Sequence, residues 1–339
     1  MNRIFILMLF FLVACVAEPP AGSETPTREE EAGEIGVTTP APTATTQKDR
    51  PGRAEIAVAP TASPVPPDTT ATPPPLPTTV PPTETPVPCR ISGRVLSDTF
   101  PSNIAFGDYD YRIYLPPCYG RDQRVYPTLY LFGGNTHDEA YWDEAGLDEL
   151  AEEAIMAGEM PPLLIVMPDG GWVANNSSGG PGSYEGLVMD ELLPFIEENY
   201  CAWPDPAGRA IGGLSRGGYW SLEIAFRHPE QFARVGGHSA ALIDSFAGPE
   251  VNPQFTALNN DLGDLDIYLD IGEDDWLLPN TLRLHEDMAA ADIPHEWHLN
   301  PGAHEDSYWP AHFADYLEWY TAGWPTERES YPRCVREPE

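Results

Sequence analysis

Lysine is almost absent from this chain: Lys48 is the only one, and 53 acidic residues face 18 basic ones for a formal charge of −35. So few cations leave little to neutralise phosphates, which argues against nucleic acid or an anionic membrane face as partner. No C-x-x-C or H-x-x-x-H spacing is present, and no internal repeat. Metal, nucleotide and redox cofactors therefore have no motif, and the expected cofactor set is empty. Long apolar runs are also scarce. The opening "MNRIFILMLFFLVAC" offers about ten apolar residues after a positive start, too short to span a bilayer comfortably and suited to an export signal.

That segment ends in Leu12-Val13-Ala14-Cys15, which resembles the lipobox of bacterial lipoproteins. The expectation is a signal over residues 1–15, with Cys15 lipidated and anchoring an exported protein to the membrane, outside the cytoplasm. Residues 16–88 are rich in proline and threonine and poor in large apolar side chains. Such a stretch cannot bury enough surface to offset its ordering entropy and reads as a disordered stalk. The folded unit is then 89–339. It holds four cysteines, an even number in an exported domain. Two alternating strand-like runs around "FPSNIAFG" suggest a hairpin centred near Asn103, which would set Cys89 opposite Cys118. Cys201 and Cys334 are left to pair with each other.

Beyond the hairpin, apolar runs alternate with helical patterns. "TLYLFGG", "PLLIVMPDG", "RAIGGLS", "FARVGGHSA", "LDIYLDIGE" and "HEWHLNPG" read as strands. Helical spacing appears over 146–158, over 187–200 with a kink or restart at Pro194, after Ser215, over "TLRLHEDMAAAD", and in the closing "HFADYLEWYTAG". Continuous apolar strands alternating with helices predict an α/β fold. Its sheet is mostly parallel, with an antiparallel edge hairpin at the N-terminus and helices on both faces.

One loop carries the chemistry. Gly213-Leu214-Ser215-Arg216-Gly217 fits G-x-S-x-G, and it lies between a buried strand and a helix. That context places a serine hydroxyl on a sharp turn at the sheet top, where the helix N-terminus favours developing negative charge. A serine hydroxyl needs a base, and the base needs an oriented tautomer. For this architecture the order is Ser, acid, His. "GEDDW" supplies Glu273, Asp274 and Asp275 just past a strand, and His304 in "GAHEDSYW" stands on a late loop before the last helix.

The segments "YRIYLPPCY", "YPTLYLFGG", "VMPDGGW", "YEGLVMDELLPFIEENY", "AIGGLSRGGYWSLEIAFRHPEQFARVGGHSAAL", "DIGEDDW" and "GAHEDSYW" keep a family order. Over about 109–320 the chain resembles the esterase D-like branch of the α/β-hydrolases, which includes feruloyl and acetyl-xylan esterases. The resemblance implies an α/β-hydrolase fold, Ser215 as nucleophile and His304 as base. It implies Asp275 as acid through the G-x-x-D pattern from Gly272, with Asp274 second. It also implies an oxyanion hole built from the backbone N–H of Arg216 and one from Gly133 or Gly134. Where relatives usually read His-Gly, this chain has Phe132-Gly133-Gly134. Trp142, Trp172, Trp309 and His238 are candidate pocket residues. The other histidines, His137, His228, His285, His295, His298 and His312, read as surface or core. The functional expectation is a surface-tethered serine esterase acting through an acyl-enzyme on carboxylic esters, with feruloyl or acetyl groups on plant polysaccharides as candidates. The alternatives are acyl transfer on the same fold and a non-catalytic surface binding module.

Overall fold

The computed structural model describes residues 90–335. The expectations for the signal, Cys15, the stalk and Cys89 lie outside the described residues.

Eight strands form one sheet: β1 (Arg94–Ser102), β2 (Gly107–Leu115), β3 (Thr128–Phe132), β4 (Leu164–Pro168), β5 (Arg209–Leu214), β6 (Arg234–His238), β7 (Asp266–Gly272) and β8 (Glu296–Asn300). Their spatial order is β1-β2-β4-β3-β5-β6-β7-β8. The β1–β2 and β2–β4 pairs are antiparallel, and every other pair is parallel. The α/β expectation holds, including the edge hairpin. Its register, Arg94 against Leu115 and Ser102 against Gly107, centres the hairpin between Ile104 and Ala105, slightly past the expected Asn103. Cys118 is disulfide-bonded. Cys201 and Cys334 are joined to each other, and the tail around Cys334 runs back against residues 123–125.

Successive side chains of a strand point to opposite faces, so one apolar run feeds two cores. In β3, Tyr130 and Phe132 enter one core while Leu129 and Leu131 enter the other. The first core is covered by helices Leu193–Asn199, Arg216–Arg227, Pro253–Asn259 and Leu278–Ala290. The second is covered by helices Leu147–Ala157 and Phe313–Thr321. The restart expected at Pro194 is present: Leu187–Leu192 is wound as a π-helix, and a regular helix begins at Leu193. Proline lacks an N–H to donate and clashes with the preceding turn, so the hydrogen-bond pattern changes there. β5 lies centrally, and all six parallel strands present their carboxyl ends on one side. Loops that carry chemistry gather there in such sheets.

Candidate active site

β5 delivers Ser215 to the sheet top, and a helix starts at the next residue. Ser215 has φ 54° and ψ −115°, a left-handed conformation that strains a residue with a side chain. Three hydrogen bonds hold it there. Its N–H donates to the His238 carbonyl at 2.9 Å, and its carbonyl accepts from Tyr219 N–H at 3.0 Å and Ala241 N–H at 2.9 Å. The flanking glycines are a packing requirement. A Cβ on Gly213 would sit 2.6 Å from the Gly217 carbonyl carbon, and one on Gly217 would strike the Phe132 carbonyl.

The turn after β7 carries Asp275, and the loop after β8 carries His304. His304 Nδ1 lies 2.8 Å from Asp275 Oδ2, and His304 Nε2 lies 2.9 Å from Ser215 Oγ. A buried carboxylate accepts a hydrogen bond from Nδ1–H, which fixes the tautomer and leaves the Nε2 lone pair facing the serine hydroxyl. Asp275 is fixed from its other side, because Oδ1 accepts the Leu277 N–H at 2.8 Å and its carboxylate is fully buried. Glu273 and Asp274, the neighbouring acids, are exposed. Aligned in this way, the three groups can pass a proton from a hydroxyl to a neutral imidazole, and the carboxylate stabilises the imidazolium that forms.

Arg216 opens the helix, so its backbone N–H has no intrahelical acceptor. Gly134 packs against the serine: a Cβ there would stand 3.4 Å from Ser215 Cβ. The Gly134 N–H donates to His137 Nδ1 at 3.1 Å. The Arg216 guanidinium is buried without a carboxylate partner among the described residues. It donates through Nε to the Ala174 carbonyl at 3.0 Å and through Nη2 to the Ser177 carbonyl, and lies over the rings of Tyr219, Trp220 and Phe246. Burial lowers its pKa. Trp220 Nε1 donates to the same Ala174 carbonyl at 3.1 Å, and the Tyr219 hydroxyl donates to Ser178 O at 2.6 Å. These three side chains pin segment 174–178 over the helix start. That segment walls a cavity of about 380 Å³ lined by Asn135, Asn175, Asn176, Ser177, Ser178, Arg216, Ser245 and Phe246.

Several expected pocket residues are elsewhere. His238 is fully buried, bonded to Asp270 and Tyr320 and stacked on Tyr316 at 3.7 Å, so it is a core residue and not a pocket wall. Trp142 is buried against Phe313, another core role. Trp309 is 2% exposed, with its ring edge-on to His304 at 5.2 Å. It braces the imidazole and presents no open face to a ligand. Trp172 is 70% exposed on helix Gly171–Asn176, outside the cavity lining. Phe132 is buried edge-on to Tyr184, so the residue replacing the family histidine anchors the core. Sequence reasoning missed Phe246, Trp276 and the side-chain role of Arg216. Trp276 is 63% exposed beside His304, with ring centroids 5.6 Å apart. Arg216, Tyr219 and Trp220 stand at i, i+3 and i+4, the spacing of one helix face, which was the available signal.

Comparisons with known proteins bear on the family and the fold. The family model described as "Putative esterase" matches residues 102–320. An esterase of Mycobacterium tuberculosis strain H37Rv is 38% identical over 134 residues, covering 38% of this chain and 28% of that protein. The endo-1,4-beta-xylanase/feruloyl esterase of Xylanibacter ruminicola is 33% identical over 135 residues, covering 37% of this chain and 18% of that protein. The chain thus spans less than a third of the length of these curated relatives. A solved ferulic acid esterase superposes with a TM-score of 0.63 at 26% identity, over 68% of this chain and 99% of its own.

Proposed function

The chain belongs to this esterase family, and on that premise we propose that it is a serine hydrolase of carboxylic esters with Ser215 as nucleophile. The observation that carries the reading is the unbroken line Asp275–His304–Ser215, at 2.8 and 2.9 Å, ending on a serine of strained backbone. His304 Nε2 takes the hydroxyl proton as Ser215 Oγ bonds to the ester carbonyl carbon. The resulting oxyanion is met by the Arg216 N–H and an N–H of the Gly133-Gly134 loop. Collapse breaks the bond to the alcohol oxygen, which leaves carrying the proton from His304. Water then repeats the sequence on the acyl-serine, releasing the acid and restoring the hydroxyl.

For the acyl group, we favour a hydroxylated aromatic such as feruloyl. Phe246 gives the cavity one aromatic wall, and Asn175, Asn176 and Ser177 give hydroxyl-bonding groups. Relatives named for ferulic acid esters support the same choice. Acyl groups on plant polysaccharides then suit a protein exported by residues 1–15, lipidated at Cys15 and held out on the 16–88 stalk.

The test is hydrolysis of p-nitrophenyl acetate and methyl ferulate by the full chain beside Ser215→Ala. Loss of several orders of magnitude in kcat is expected. Equal rates for the two proteins overturn the reading.

A further inference from the structure

We propose that His137 is a positioning residue for the oxyanion loop, acting as a neutral imidazole whose Nδ1 accepts the Gly134 N–H. The proposal rests on the Ser215 esterase reading. The turn Gly134-Asn135-Thr136-His137 is closed twice. The His137 N–H donates to the Gly134 carbonyl at 3.1 Å, and the Gly134 N–H donates back to His137 Nδ1 at 3.1 Å. β3 has already ended at Phe132, so no strand ladder fixes the Gly134 peptide. The imidazole does so instead, at a glycine packed against Ser215.

The other end of the ring is also tied. His137 Nε2 lies 3.1 Å from Asp306 Oδ1, and Asp306 follows His304 by two residues. The ring stacks on Tyr141 at 3.8 Å and meets the edge of Trp309, which in turn braces His304. One side chain therefore bridges the loop of the oxyanion donor and the loop of the base. Only one protonation state fits both ends: Nε2–H donating to Asp306 and bare Nδ1 accepting from Gly134. A second proton, on Nδ1, would set two donors against each other. Burial lowers the pKa of His137 and His304 adds to this, while Asp306 and Asp138 oppose it. When the charged oxyanion forms, it is a stronger acceptor than a neutral ring nitrogen and can compete for the N–H that His137 holds in place.

The test is steady-state kinetics on p-nitrophenyl acetate with His137→Leu, His137→Asn and Asp306→Ala. Affinity for a boronic acid, which mimics the tetrahedral adduct on serine, is read in parallel. His137→Leu is expected to lower kcat by about 10- to 100-fold, less than the roughly 10²–10³ for losing a donor outright. KM should stay within about twofold, and boronate affinity should fall with kcat. His137→Asn places an amide oxygen near the Nδ1 position and should restore most of the loss. Asp306→Ala alters an exposed residue, so it folds even if the leucine variant does not, and it should give a smaller loss in kcat. Long-range ¹H–¹⁵N spectra of the wild-type protein should show His137 as the Nε2–H tautomer. An Nδ1–H tautomer, a leucine variant as fast as wild type or faster, or a loss confined to KM overturns the proposal. Ser215→Ala run beside them separates the two readings. If it retains hydrolysis, the serine reading fails. If it is inactive while His137→Leu is unimpaired, only the role of His137 fails.

Discussion

The carbonyl of His238 accepts the Ser215 N–H at 2.9 Å, while the His238 ring is gripped from behind by Asp270, Nδ1 to Oδ1 at 2.6 Å. The strained serine thus rests on a buried polar network. Asp270 Oδ2 accepts from the hydroxyls of Tyr308 and Tyr316, each at 2.8 Å, and Tyr320 meets His238 Nε2 at 2.9 Å. Gly212 and Gly236 leave the space that the Tyr320 hydroxyl fills. A buried network of this kind stabilises when every member is satisfied and becomes costly when one is removed. Asp270→Ala is therefore expected to cost about 3–5 kcal/mol in urea unfolding followed by tryptophan fluorescence. Tyr320→Phe, which removes one partner, should cost about 1–3 kcal/mol. A wild-type unfolding midpoint for Asp270→Ala would refute this account.

Two adjacent aspartates separate cleanly. Asp275 is buried and bonded to His304, whereas Asp274 is exposed and spends its backbone N–H on the Gly302 carbonyl. Asp275→Asn should lower kcat by about 10⁴, because the amide holds the wrong imidazole tautomer. Asp274→Asn should change it little. The reverse ranking in p-nitrophenyl acetate assays would move the acid by one residue.

Asp169, next after β4, titrates unusually. Burial, with Glu139 adding to it, pushes its carboxyl from the ordinary 3.8 up to about 6. The folded protein thus binds this proton more tightly than the unfolded chain does. Its contribution is present below about pH 4 and is lost as pH rises through about 6. Asp169→Asn stays neutral, so its melting temperature minus that of wild type should rise between pH 4 and 7. A flat difference would show that the carboxyl is unperturbed.

The Cys201–Cys334 bond closes a loop of 133 residues in sequence. Cys201 precedes β5, at the end of the sheet away from Ser215. The double variant Cys201→Ala/Cys334→Ala should lose about 2–5 kcal/mol of stability. Its kcat at 25 °C should match wild type, as measured on the same ester. An equal loss of kcat at a temperature where the variant is folded would contradict this separation.

Much of the framework was legible because it is local. Five of the six parallel strands are short buried runs bounded by turn residues, β8 (EWHLN) being the exposed exception, and G-x-S-x-G between a strand and a helix is a contiguous signal. The pocket was not legible. Trp142, Trp309 and His238 drew attention as large or polar residues near strand ends, yet all three face inward. A residue at a strand top can point into a core or a cleft, and a change of side-chain direction switches between the two. Phe246 and Trp276 are ordinary in sequence and become notable only through what they stand beside.

The sequence by itself determined the order of elements, the elbow around Ser215 and the glycines that its close contacts demand, since each follows from period, turn chemistry or spacing within one segment. Tertiary structure alone decided how the Arg216 side chain is used, and that His137 reaches Gly134 on one side and Asp306 on the other. Hydrogen bonds depend on distances of a few tenths of an ångström between loops far apart in the chain. No spacing rule carries that information, because the sheet, and not the intervening sequence, sets the separation of its strand ends.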